Sequence, residues 1–453
     1  LILEIEKHKN GDILELIARV LFFLSLLIVG VYIIAPNLML DFWYDEVLSI
    51  EEFILVPLKK TVTDYQVPNN HIFFSVLMNL WLLFKIYKKS DAYILVGDVL
   101  ETLQNLAKYH RQQFKKPVIG LTGSNGKTTT KELIRVVLEQ KYKVHATLGN
   151  LNNHIGVPLT LLAMPEDTEI APIELGANHV GEIAVLSEIS QPTVGLITNI
   201  GHAHTEGFGG FEGVIRGKSE LYQYLIQNNR EVIINSQDII LKNMARRFKN
   251  PYFYGSEGDY FNAEFLEASP FIQYRENGET IHTNLIGEYN FDNISAALCL
   301  GKLFEIPSQK SNEAIANYVP KNNRSQVIKT EKGNTVIMDA YNANFSSMSA
   351  ALESFGAMKT ANKVVILGDM LELGEQSILR HQEISDKAKQ LNLAKIILCG
   401  TEFCKLEERE KTILYFENEC SQFRDNRFQN PVYLCDDLSV AKPDSVCGKV
   451  RIT

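Results

Sequence analysis

The stretch PVIGLTGSNGKTTTK, residues 117–131, limits what this chain can fold into more than any other. Four residues of strand character, Val118-Ile119-Gly120-Leu121, run into Gly123-Ser124-Asn125-Gly126. Lys127-Thr128-Thr129-Thr130 follow, opening a helical pattern that continues from Glu132 to Glu139. Strand, glycine-rich turn and helix in that order make a phosphate cradle. The glycines let the backbone turn tightly, so that its N–H groups and the positive end of the helix point at an anion. Lys127 brings a point charge to the β/γ oxygens and Thr128 a hydroxyl for Mg²⁺. Gly123, Ser124, Asn125, Gly126, Lys127, Thr128 and Thr129 are therefore the expected nucleotide contacts. The strict Walker spacing wants a glycine where Leu121 stands, so the match is to the shorter TGxxGKT form. The plain alternative is a glycine-rich βα turn without a ligand.

The flanking sequence agrees with an α/β fold. An amphipathic helix through Leu100, Leu103, Leu106 and Ala107 to His110-Arg111 leads into the loop. Strand patterns at residues 143–146, 170–175, 193–198 and 232–235 then alternate with helices, which implies a mostly parallel sheet covered on both faces. In such sheets ligands collect at the carboxyl ends of strands. Glu174-Leu175-Gly176-Ala177-Asn178-His179 ends one strand and Thr198-Asn199-Ile200-Gly201-His202-Ala203-His204 ends the next. A carboxylate and an imidazole there are placed to hold Mg²⁺ against a nucleotide; taken singly, each reads as a hydrogen-bonding loop residue.

A net charge of −9 without a basic stripe argues against a nucleic-acid partner. Six scattered cysteines (299, 399, 404, 420, 435 and 447) have no paired metal-type spacing and read as reduced thiols. Residues 1–90 differ in character. The uncharged apolar stretch 20–40 is long enough to cross a bilayer core of roughly 30 Å, and 71–84 is a shorter candidate. Lysines before the first and after the second place both ends on the cytoplasmic side, although Lys59 and Lys60 between them argue against it. Asp45-Glu46 and the stretch Pro68-Asn69-Asn70-His71 resemble the start of a membrane glycosyltransferase that uses lipid-linked sugars.

Further motifs carry a second resemblance. TGSNGKTTTK, LGNLNNHIGVP (148–158), ELGANHVGEI (174–183), TNIGHAHTEGFGG (198–210) and Lys218-Ser219-Glu220 fall in the order found in the Mur ligase family. Asp339-Ala340-Tyr341-Asn342-Ala343-Asn344 and the later LGDMLELG (367–374) with His381 resemble its MurF type. Over residues 94 to about 403 the resemblance implies a central ATP-binding domain (113–322) and a C-terminal Rossmann-like α/β domain (323–453). It implies ATP and Mg²⁺ as cofactors, with catalysis by Lys127, Lys218, His204 and Arg324. Glu174 would join Thr128 on one Mg²⁺; His204, rather than His202, and a carbamylated Lys218 would serve a second. Asn290 and Asn293 would lie on the adenine side, with Tyr289 where the family usually has His. Arg324 would meet phosphate, Asp339 the ribose, and Asn344 would order the loop.

The implied reaction joins D-alanyl-D-alanine to UDP-N-acetylmuramoyl-tripeptide through an acyl phosphate, in peptidoglycan synthesis. A cytoplasmic monomer is expected, tethered to the inner face of the membrane if the apolar segment inserts. Other ligases of the superfamily, acting on folate or another amino acid, are the near alternative. An inactive nucleotide-binding fusion to a glycosyltransferase fragment is the distant one. Residues 91–112 match only the tail of the family's N-terminal domain, and beyond about Glu417 its closing KGSR loop is not found. Poor turnover of the UDP-sugar substrate is therefore expected alongside intact ATP binding.

Overall fold

The computed structural model describes residues 96–406 apart from 322, 331, 332 and 361, together with the backbone of two strands at 413–416 and 432–435. The apolar stretches 20–40 and 71–84, the Asp45-Glu46 pair, residues 68–71, Asn322, Cys420 and Cys447 lie outside the described residues. Among the described residues no helix is long and apolar enough to cross a membrane.

Helix α1 (Val99–Gln113) is capped by Asp98, whose carboxylate accepts from Glu101 N at 2.6 Å. After it comes the central unit: β1 (Val118–Thr122), α2 (Lys127–Leu138), α3 (Gly156–Leu162), β2 (Ala171–Glu174), α4 (Glu182–Ser190), β3 (Val194–Ile197), α5 (Phe211–Gln227), β4 (Glu231–Asn235), α6 (Ile239–Ala245) and β5 (Tyr252–Tyr254). The five strands form a parallel sheet in the order β2-β1-β3-β4-β5, as the alternating pattern predicts. Residues 143–146 are a correction. They make only an isolated bridge, Val144 to Ile170, because the chain turns away towards the loop at 148–155.

Strand periodicity divides the central core in two. Ile119, Leu121, Leu196 and Ile233 face one side; Val118, Ile173, Ile197, Val232 and Ile234 face the other, packed with Ala107 of α1 and residues of α3 to α6. The first side is closed by α2, by α7 (Asn290–Leu303) and α8 (Ser308–Asn317), and by a sheet outside the expected pattern. This sheet is antiparallel, β6 (Glu264–Ala268), β7 (Phe271–Glu276) and β8 (Glu279–Ile286). Its buried residues Ile272, Tyr274, Ile281 and Leu285 alternate with exposed or half-exposed ones, the period of a half-buried strand.

The third part holds β9 (Gln326–Lys329), β10 (Thr335–Met338), α9 (Phe345–Ala357), β11 (Val364–Gly368), α10 (Ser377–Gln390), β12 (Lys395–Cys399), a short α11 (Thr401–Cys404), β13 (Ile413–Phe416) and β14 (Val432–Cys435). The sheet order is β13-β12-β11-β14-β10-β9. Strands β11 to β13 run parallel, as a Rossmann-like domain predicts. However, β14 enters antiparallel between β10 and β11, and β9 pairs antiparallel at the edge. The described residues make an α/β fold.

Candidate active site

The phosphate loop sits between β1 and α2, and sterics explain its glycines. A Cβ on Gly123, at φ 148, would lie 1.9 Å from Thr198 Oγ1, and one on Gly126, at φ 76, would lie 2.6 Å from Asn293 Oδ1. The loop is held by the end of β3. Ser124 N donates to Asn199 O at 3.0 Å, Asn125 N to Asn199 Oδ1 at 3.0 Å, and Thr198 Oγ1 to Asn125 O at 2.6 Å. The first helical bond here, Thr130 N to Gly126 O, leaves the amides of Lys127, Thr128 and Thr129 without helical acceptors, at the positive end of α2. Lys127 Nζ meanwhile donates to Gly123 O at 2.8 Å, folded back over its own loop. Burial lowers its pKa and Arg324 lowers it further, while Glu174 opposes both.

Glu174, 1% exposed at the end of β2, faces the loop. Its Oε1 accepts from Thr128 Oγ1 at 3.2 Å and Asn152 Nδ2 at 2.9 Å, whereas its buried Oε2 has no hydrogen-bond partner among the described residues. A buried carboxylate oxygen without a donor, beside a threonine hydroxyl, fits an oxygen-seeking divalent cation. Lys218, also 1% exposed, donates to Ala177 O at 3.2 Å and lies 5.0 Å from the Phe208 ring centroid. Burial, with the charge of Lys127 behind it, pushes this ammonium well below the usual lysine range. The loop on which it leans is fixed by Glu220, whose carboxylate accepts from Gly181 N and Ala184 N at 2.6 and 2.9 Å.

His204 stands apart from these groups. At φ 54, its Nδ1 makes a very short contact with Glu372 Oε2, and this contact holds the Glu372 carboxyl below the usual range. Among the described residues no three His, Cys, Asp or Glu side chains gather around a metal position, so His204 and Glu174 do not form a ready-made cluster. His202 stacks on Phe211 at 4.5 Å, as befits a packing residue.

The third part closes over the loop. Asn344 Nδ2 donates to Asn125 Oδ1 at 2.7 Å, and His202 N donates to Ser346 Oγ at 3.1 Å. Arg324 lays its guanidinium 3.9 Å from the Tyr341 ring centroid, with its buried Nε unpartnered among the described residues. It also counters the burial that raises the Asp339 pKa. Asn290 and Asn293, expected at the adenine, are 2% and 5% exposed, and their amides are engaged internally. Sequence reasoning also passed over the roles of Asn152, Asn199, Ser325 and Glu372. Asn152 and Asn199 lie inside motifs already singled out, and an amide beside a glycine-rich turn is a usable signal for a loop brace.

The Mur ligase middle domain matches residues 121–301, and the Mur ligase glutamate ligase domain matches 323–438, together more than half of the chain. The chain belongs to the Mur ligase family. The match runs past the point near Glu417 where the family's closing motif is not found. A UDP-N-acetylmuramoyl-tripeptide–D-alanyl-D-alanine ligase of Bacillus subtilis (strain 168) is 38% identical over 298 residues; the chain spans 65% of that relative's length, and 65% of the chain is covered. A MurF crystal structure from Acinetobacter baumannii is 32% identical with a TM-score of 0.67, covering 74% of this chain and 75% of its own. The MurF ligase of Thermotoga maritima, crystallised with ADP, is 26% identical with a TM-score of 0.66, covering 74% of this Mur ligase and 79% of its own chain.

Proposed function

We propose that this Mur ligase is a MurF-type enzyme that uses ATP to join D-alanyl-D-alanine to UDP-N-acetylmuramoyl-tripeptide. The observation that carries the reading is the unpartnered Oε2 of buried Glu174 beside Thr128, at the mouth of a loop with free amides. The named relatives and the ADP-bound neighbour support the choice of substrates and of nucleotide.

Thr128 and Glu174 would hold Mg²⁺, which when bound neutralises charge on the polyphosphate. The chain's own groups do the rest. Lys127 exchanges its loop carbonyls for β/γ oxygens, and the amides of residues 127–129 orient them. Arg324, whose buried Nε has no hydrogen-bond partner among the described residues, would turn its guanidinium to the γ-phosphate as the substrate carboxylate attacks it, giving an acyl phosphate and ADP. The amine of D-alanyl-D-alanine then attacks the activated carbonyl and phosphate leaves. Lys218, whose burial favours the neutral amine, would add CO₂ and release a proton to become a carbamate, an oxygen donor for a second cation with His204. Asp339 would hold a ribose hydroxyl, and Gly123 to Thr129 would wrap the phosphates. The same proposal has the chain work in the cytoplasm as a monomer, with residues 20–40 and 71–84 as its membrane contact.

Calorimetric titration with Mg·ATP tests the nucleotide half. Parent chain should bind, and Lys127→Ala should lose on the order of 1.5 to 3 kcal/mol. Phosphate release that requires both UDP-N-acetylmuramoyl-tripeptide and D-alanyl-D-alanine tests the rest. Equal ATP affinity in the two proteins, or release with a folate or a single amino acid as acceptor, would overturn the reading.

A further inference from the structure

Asn290 and Asn293 belong to a continuous buried chain of polar groups. Thr130 Oγ1, on the first turn of α2, donates to Asn293 Oδ1 at 2.9 Å. Asn293 Nδ2 donates to Asn290 Oδ1 at 2.8 Å, and Asn290 Nδ2 reaches Ser325 Oγ at 3.4 Å. Tyr289 OH closes the far side, 2.9 Å from the same Ser325 hydroxyl. Thr130, Asn293, Asn290 and Ser325 are all 5% exposed or less. The chain starts on the helix that carries Lys127 and ends on the residue next to Arg324, at the junction between the central and third parts.

The junction itself needs such a support. Asn323 and Ser325 both hold left-handed backbone, φ 55 and φ 50, which side chains other than glycine rarely adopt. Asn323 is tied by its carbonyl, which accepts from Ala340 N at 2.9 Å, and by its N–H, which donates to Gln326 Oε1 at 3.2 Å. Ser325 is tied on the central side by Tyr289 and Asn290. Arg324 lies between these two fixed points, and its place over Tyr341 follows from the backbone they impose.

We propose that Thr130, Asn293, Asn290, Ser325 and Tyr289 form a buried hydrogen-bonded relay that positions Arg324, so that the domain junction is set from the phosphate-loop helix. Tyr289 and Ser325 are positioning residues; they act through Arg324 rather than on the nucleotide. The proposal rests on the nucleotide-binding reading only for its consequence, since the relay is made of the chain's own groups. A loop that closes on polyphosphate pulls on Thr130, and the relay carries that displacement to Arg324 through groups whose other partners are already fixed.

Hydrogen exchange of the full chain, read by mass spectrometry without nucleotide, tests the relay directly. Thr130→Val, Tyr289→Phe and Ser325→Gly should each speed exchange at residues 325–329 about five-fold, the factor one ordinary buried hydrogen bond is worth. Glycine keeps the left-handed backbone, so Ser325→Gly isolates the hydroxyl. Thr160→Val, which removes a buried bond to Gly156 O outside the relay, should leave residues 325–329 unchanged. The double variant Thr130→Val/Ser325→Gly should match the single variants instead of multiplying them. An unchanged rate at 325–329 in Thr130→Val, or multiplicative effects in the double variant, would overturn the relay. Mg·ATP should then slow exchange at 325–329 in the parent, and on an Arg324→Ala background the relay variants should cost no further ATP affinity. Further loss there would show that they act elsewhere than through Arg324. A relay that behaves as expected in a chain indifferent to ATP would instead remove the nucleotide reading and leave the junction mechanism standing.

Discussion

Asn344 does two jobs that substitution separates. Its Oδ1 accepts from Ser347 N at 2.9 Å and completes a capping box at the start of α9, while its Nδ2 donates to Asn125 Oδ1 across to the phosphate loop at 2.7 Å. Serine keeps the first and is too short for the second; alanine keeps neither. A lost N-cap costs about 1 kcal/mol and a lost interdomain hydrogen bond about 1 kcal/mol. Asn344→Ala should therefore destabilise the third domain by about 2 kcal/mol and Asn344→Ser by about 1 kcal/mol. ATP affinity should behave differently, falling by about the same five-fold in both variants, because both lose the tie that orders Asn125. Urea unfolding followed by circular dichroism gives the first comparison and calorimetric titration with Mg·ATP the second. Equal stability of the two variants would refute the cap. Parent-like ATP affinity in Asn344→Ser would refute the claim that the third domain orders the loop.

Two further outcomes follow from buried cations. Lys218 has its folded pKa pushed down, so below the ordinary lysine value of 10.5 the unfolded chain binds a proton that the folded chain refuses. Stability should therefore rise with pH from the depressed value up to about 10.5, and Lys218→Met should flatten that slope in urea titrations at successive pH values. Arg111 donates to the carbonyls of Ser190, Gln191 and Phe114, tying α1 to the end of α4. Arg111→Ala should cost about 3 kcal/mol in unfolding experiments while leaving ATP affinity unchanged, since α1 does not touch the loop.

The phosphate loop was legible because its chemistry is local. Gly123 and Gly126 take positive φ in a short turn between strand and helix, and Lys127 and Thr128 follow at fixed spacing. The parallel sheet was legible for a similar reason, each strand being a short apolar run beside a helix. The internal bonds of Asn290 and Asn293 could not be read ahead, because sequence shows that an amide is present and not where its hydrogen bonds go. Their partners, Thr130 and Ser325, are remote in sequence. The segment 143–146 had the composition of a strand, and although its backbone bonds to residues 169 and 170, the pairing is a single bridge rather than a ladder, and pairing decides strands. The antiparallel sheet β6–β7–β8 carried a readable alternation in Ile281, Thr283 and Leu285 and went unread. The contact between Glu372 and His204 joins two domains, and no local pattern announces such a meeting.

The position of β14 bears on how the third domain comes into being during synthesis. Residues 326–399 supply two separate pieces, the hairpin β9–β10 and the pair β11–β12, and β14 joins them by hydrogen-bonding to both β10 and β11. Until residue 435 has left the ribosome, two strands present open edges to solvent, whereas the central sheet is already complete at residue 254. The nucleotide loop is thus assembled early in translation. The domain that closes over it is sealed only near the end, and in that interval a nascent chain is most exposed to mispairing with its neighbours on the same messenger.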